Sequence, residues 1–106
     1  IHDLLTHTAG LGTGGGLGAR IVKDRALPTD TLATWVPRMA ARPLDFQPGA
    51  RWAYSPGSGL TVVARIIEIA SKMSLHEFIQ KRIFNPLYMP FFIIHNSINS
   101  FFNYGV

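Results

Sequence analysis

Leu44-Asp45-Phe46-Gln47-Pro48-Gly49-Ala50-Arg51-Trp52-Ala53-Tyr54-Ser55 is the stretch on which the reading of this chain turns. Proline fixes φ and lacks an amide hydrogen, and glycine admits backbone conformations closed to other residues. Pro43, Pro48, Gly49, Pro56 and Gly57 therefore work against both helix and strand over residues 43–57. Phe46, Trp52 and Tyr54 add apolar bulk able to pin an irregular backbone, so the expectation is a rigid loop.

Regular structure begins on either side of it. From Ser58 to Ser71 nearly every residue is apolar except Thr61, Arg65 and Glu68, which with Lys72 recur at intervals of four, three and four and form one polar stripe. This predicts a helix over 58–71 buried on most of its circumference. Ser74 with Glu77 three residues on forms a capping box for a helix through Leu75, Phe78, Ile79 and Ile83 that stops before Pro86. Upstream, Thr29 or Asp30 is the expected cap of a helix over 31–41. Leu32, Trp35, Val36 and Met39 make its apolar face and Pro37 is expected to kink it. Six glycines in the nine residues from Gly10 to Gly18 demand a loop.

After Met89 the character changes, because residues 90–106 hold no Asp, Glu, Lys or Arg but four Phe, three Ile and three Asn. Two readings stay open for this tail: an edge strand at Phe91 to Ile94 with a loose terminus, or sequence foreign to the body. The expected organisation is one partial domain over 1–89 and an atypical, frame-shifted or disordered tail over 90–106.

At 106 residues the chain holds one domain at most, and 47% apolar residues suffice for a core and exclude disorder of the whole. Charged residues are only 15%, which leaves apolar surface in want of a partner. The faces at Val62 to Ile69 and Phe78 to Phe84 predict aggregation or a covering partner for the isolated chain. The net charge is +4, yet the cations run from Arg20 to Arg82 with no three together and no interleaved aromatics, so no nucleic-acid partner is expected. Without cysteine there is no disulfide frame and no thiol nucleophile. No membrane span is expected. The chain opens on Ile1 rather than Met, so any targeting segment is expected upstream, and the compartment is left open.

Four phrases in order resemble one family. They are Asp3-Leu4-Leu5-Thr6-His7-Thr8-Ala9-Gly10-Leu11; the Leu44 to Ser55 stretch; Val63-Ala64-Arg65-Ile66-Ile67-Glu68 with Ser71-Lys72-Met73-Ser74; and Ile83-Phe84-Asn85-Pro86-Leu87-Tyr88-Met89. Over residues 1–89 the chain is similar to the serine β-lactamase-like hydrolases, which comprise class C β-lactamases, related carboxylesterases and D-Ala-D-Ala carboxypeptidases. The resemblance implies a mainly α chain, a fragment of the helical lobe of the α/β serine β-lactamase and penicillin-binding-protein fold.

It also implies a mechanism. In that family the serine of a Ser-x-x-Lys helix attacks an acyl carbonyl, and the tyrosine of a Tyr-x-Asn loop helps move the protons. Tyr54 occupies the tyrosine position and is the catalytic candidate, with Ser55 and Pro56 shaping the loop beside it as substrate-binding candidates. A serine hydroxyl is a poor nucleophile until a base takes its proton. A tyrosine beside a lysine ammonium is favoured as phenolate, and can take that proton and return it to the leaving group. Taken without the resemblance, an aromatic in a Pro/Gly loop reads as packing.

The departures narrow the expectation. Pro56 stands where the family has Asn and offers no amide, which favours an esterase over a β-lactamase. Ser55, Ser58, Ser71, Ser74, Ser97 and Ser100 are followed at the third position by Ser58, Thr61, Ser74, Glu77, Ser100 and Asn103, so no Ser-x-x-Lys is present. The downstream Lys-Thr-Gly or His-x-Gly strand is also missing, and Tyr88 replaces the usual glycine before Met89. The expectation is a truncated or frame-shifted hydrolase, inactive alone, whose intact form acts through an acyl-enzyme on a small ester or amide. The alternative is a non-catalytic binding or assembly module on the same fold.

Other patterns carry less. Gly10-x-Gly12-x-x-Gly15 matches the dinucleotide fingerprint by letter, but lacks a strand before it and a helix directly after it. His2, His7, His76 and His95 have no zinc-helix spacing, so no metal and no cofactor are expected. His7 is expected to order its own loop through ring hydrogen bonds. Arg51 reads as a solvated arginine, with stacking or steering of an acidic substrate as the alternative.

Overall fold

Caps and apolar spacing set the helices. The computed structural model describes residues 1–12, 26–55 and 57–89. In it the helices are α1 (His2–Leu5), α2 (Leu32–Ala40), α3 (Ser58–Ser71) and α4 (Leu75–Ile79), the last running into a π-turn at Gln80–Phe84. No strand occurs among the described residues, so the chain is mainly α, as expected. The proposed edge strand at Phe91 to Ile94 and most of the glycine loop lie outside them. Two compact units divide the chain, Ile1–Val63 and Ala64–Val106, with the boundary inside α3.

In the first unit α2 starts at Leu32 and is capped by Thr31 rather than by the expected Thr29 or Asp30. Thr31 is extended at φ −102° and ψ 169°, so its Oγ1 turns back to accept from Thr34 N at 3.3 Å, and Thr34 Oγ1 accepts from Thr31 N at 3.0 Å. Asp30 stands just outside. Its carboxylate accepts from Leu27 N at 2.7 Å, Thr34 Oγ1 at 3.0 Å and Arg38 Nη1 at 2.9 Å, close to the positive end of the helix. Leu32 and Met39 are buried, while Trp35 is half-buried beneath the guanidiniums of Arg38 and Arg42, 5.0 and 5.1 Å from its ring centre. Pro37 stays within the helix, and lacking an amide hydrogen it cannot bond the Ala33 carbonyl.

The stretch after α2 is irregular, as its prolines require, and is laced to the first residues of the chain. Asp45 N donates to Gly10 O at 2.8 Å, Gly49 N to Thr8 O at 2.8 Å and Ala53 N to His7 O at 3.0 Å. Gly10 is buried at φ 74°, and a Cβ there would run into the Phe46 carbonyl. Arg51 is exposed, as expected of a solvated arginine, and its guanidinium also lies over the Phe46 ring at 4.6 Å.

α3 has the expected bounds but not the expected burial. Residues 61–68 are half-buried, Gly59 is its one buried residue among those described, and Ile69 keeps 62% of its surface exposed. The apolar pattern sets which residues form a helix but not how much of it these residues can cover. In the second unit the polar stripe is put to use: Glu68 Oε2 accepts from Arg65 Nη1 at 2.9 Å and its Oε1 from Leu75 N at 3.1 Å, at the start of α4. The Ser74 and Glu77 capping box forms as expected, with Ser74 N donating to Glu77 Oε2 at 3.0 Å and Glu77 N to Ser74 Oγ at 3.2 Å. The helical path then continues past α4, closing at Asn85 N to Gln80 O, 2.9 Å.

Candidate active site

A short helix and a tight turn place the first element. α1 is capped at its C-terminal end by Thr6, and His7 follows at φ 58°, a left-handed conformation uncommon outside glycine but one in which histidine is enriched. Thr8 N closes the turn on Asp3 O at 2.9 Å, the six-to-one bond of a helix C-terminal motif. Thr8 Oγ1 donates to Asp3 Oδ1 at 3.0 Å, and this bond comes first among the causes that lower the Asp3 pKa, followed by His2 Nδ1 at 3.4 Å.

The turn projects the His7 ring onto the other phrase. Ser55 N donates to His7 Nδ1 at 3.3 Å, and Ser55 Oγ lies 3.3 Å from the same nitrogen. An accepting Nδ1 carries no hydrogen, so these partners assign the neutral ring to its Nε2–H tautomer. The ring packs on Tyr54 with centroids 4.7 Å apart and planes at 49°, and meets Trp52 edge-on at 6.3 Å.

Exposure separates the roles. Ser55 is 5% exposed with its hydroxyl 3.3 Å from His7 Nδ1, a buried and partnered hydroxyl, whereas Tyr54 and Trp52 are 59% and 64% exposed. Gly59 in the first turn of α3 allows the close fit: a Cβ there would meet Leu4 O at 2.6 Å and Ser55 Oγ at 3.5 Å. Of the three candidates, Tyr54 and Ser55 are therefore brought together with His7, and Pro56 lies outside the described residues. The sequence assigned His7 to its own loop; its partner is 48 residues away, and the one hint in the sequence was that both belong to ordered phrases of the same resemblance.

Among the described residues no three His, Cys, Asp or Glu side chains gather as metal ligands would, and no helix is long and apolar enough to cross a membrane.

Comparisons with known proteins point one way. Residues 1–102 match the family model described as Beta-lactamase, a span that runs past Met89, where the resemblance read from the sequence stops. The chain is 41% identical over 87 residues to a lovastatin esterase of Penicillium rubens, covering 79% of this chain and 21% of that protein. It is 36% identical over 96 residues to Esterase EstB of Burkholderia gladioli, covering 84% of this chain and 24% of that protein. The chain thus spans about a fifth to a quarter of the length of these curated relatives.

Proposed function

The chain belongs to the beta-lactamase family, and from that premise we propose that it supplies the proton-transfer loop of a serine esterase whose nucleophile lies outside these 106 residues. The observation that carries the reading is the exposure of Tyr54, the residue that the resemblance puts at the family's tyrosine position, beside a residue that is buried and held by His7. An exposed hydroxyl on an anchored backbone can meet a substrate without the loop having to reorganise.

In the proposed reaction a serine oxygen attacks the ester carbonyl carbon, and the Tyr54 oxygen takes the serine proton. The tetrahedral intermediate collapses, the bond to the leaving alkoxide breaks, and Tyr54 returns the proton to that alkoxide. Water then attacks the acyl-serine by the same proton route, releasing the acid and restoring the serine. Ser55 contributes by fixing the loop, and Pro56 leaves no amide where a lactamase has one. The two esterase relatives support ester over lactam as the scissile bond.

The test is Tyr54→Phe in the intact protein, assayed on p-nitrophenyl butyrate. The expected loss in kcat is about 10²- to 10⁴-fold, the range for a general acid–base group. An unchanged kcat removes Tyr54 from the chemistry and leaves a non-catalytic binding or assembly module as the reading of this lobe.

A further inference from the structure

We infer that His7 is the positioning residue of Tyr54, gripping the backbone on both sides of it and seating its ring. The inference rests on the esterase reading for its catalytic consequence, but the geometry stands by itself. His7 O accepts from Ala53 N at 3.0 Å, the residue before Tyr54, and His7 Nδ1 accepts from Ser55 N at 3.3 Å, the residue after it. Between these two bonds the Tyr54 ring lies against the imidazole at 4.7 Å. One residue therefore fixes the backbone before, the backbone after and the side chain between.

The backbone of His7 is arranged for this. A left-handed φ of 58° costs a residue with a Cβ stability, and such outliers persist only where the surroundings hold them. Here the bond from Thr8 N to Asp3 O closes the turn, and the side-chain bond from Thr8 Oγ1 to Asp3 Oδ1 doubles it. The grip needs a bare acceptor at the Nδ1 position, because a hydrogen there would face the Ser55 N–H. Histidine supplies that acceptor and a flat ring in one side chain. His7 does not act as a base toward substrate, since its Nδ1 lone pair is taken by Ser55 and it works through Tyr54.

Two substitutions separate positioning from packing. His7→Phe keeps a flat ring against Tyr54 and removes the acceptor. His7→Asn places Oδ1 where Nδ1 stands and tolerates the left-handed conformation. In the intact protein on p-nitrophenyl butyrate, His7→Phe is expected to lower kcat about a hundredfold with KM within about twofold, the mark of a misplaced group rather than lost binding. His7→Asn is expected to restore kcat to within about tenfold of the parent. Equal losses in the two variants, or a change confined to KM, overturn the inference while Tyr54→Phe remains inactive. A fully active Tyr54→Phe instead removes the esterase reading, and the catalytic role of His7 with it.

A spectroscopic arm needs no activity. The ¹⁵N resonances of the neutral His7 ring are expected to show a hydrogen-free Nδ1 and a hydrogen on Nε2. A hydrogen on Nδ1 overturns the inference whatever the kinetics give. In the variants, the Ser55 amide proton is expected to move upfield in His7→Phe and to return in His7→Asn.

Discussion

Three helix ends among the described residues run into a left-handed non-glycine residue, and two of them, at His7 and Tyr88, use the strain differently. At the end of α1, His7 has φ 58° and Thr8 N closes on Asp3 O at 2.9 Å; at the end of the helical path after α4, Tyr88 has φ 53° and Met89 N closes on Phe84 O at 2.9 Å. The second turn is the more complete, since Tyr88 N also reaches Asn85 O at 3.1 Å, giving both bonds of the Schellman motif. Each left-handed residue costs about 1–2 kcal/mol. His7 recovers contacts with Tyr54, Ala53 and Ser55, whereas the Tyr88 side chain is 95% exposed. Strain alone therefore does not mark a site; the contacts returned by the strained residue do. It also explains the glycine that the family resemblance places before Met89, since C′ of such a motif asks for a residue without a Cβ.

The comparison can be broken most forcefully on the His7 side. Gly10→Ala drives a Cβ into the Phe46 carbonyl at φ 74°, and is expected to cost about 2–3 kcal/mol because backbone cannot step aside as the end of a flexible side chain can. Urea unfolding of the full chain measures it, and a cost below 1 kcal/mol, on the order of a surface change, means the two phrases are not locked together. Next comes a matched pair. His7→Gly and Tyr88→Gly relieve the same φ, but the first also strips the acceptor from the Ser55 amide, so a net loss of about 1 kcal/mol is expected. Tyr88→Gly surrenders only an exposed ring and is expected to gain about 1 kcal/mol. If both changes move stability in the same direction, the distinction between a used and an unused strain fails.

Much of the fold was legible because its signals are local. The chain's mainly helical fold is a piece of the helical part of the β-lactamase fold. α3 has the bounds its polar stripe predicts, and the box of Ser74 and Glu77 needs only residues three apart. The α2 cap was displaced to Thr31 because Thr29, Asp30 and Thr31 all carry capping oxygens, and only backbone angles choose between them. The shortfall in α3 burial was illegible for another reason, since periodicity names a face but not its partner. For the site, the resemblance supplied Tyr54, and local reading gave His7 a loop. The closure from residue 7 to residue 55 belongs to tertiary structure, which no spacing within either phrase encodes.

Acid offers the mildest probe of the two turns, and its sign follows from the carboxylates. Hydrogen bonds hold three of them below their ordinary values: Thr8 on Asp3, Leu27 N on Asp30, and Ser74 N on Glu77. A group whose folded pKa is depressed stabilises the fold above its unfolded pKa, near 4, and loses that contribution as pH falls through the folded value. Asp3 sits inside the His7 turn, while Glu77 caps the far end of the helical path from Tyr88. The Thr8 amide resonance is therefore expected to titrate below about pH 4 with the Met89 amide unmoved, and Asp3→Asn is expected to abolish the Thr8 transition. Parallel movement of both amides would mean that acid loosens the chain as a whole, and that the Asp3 carboxylate has no private hold on the turn that carries His7.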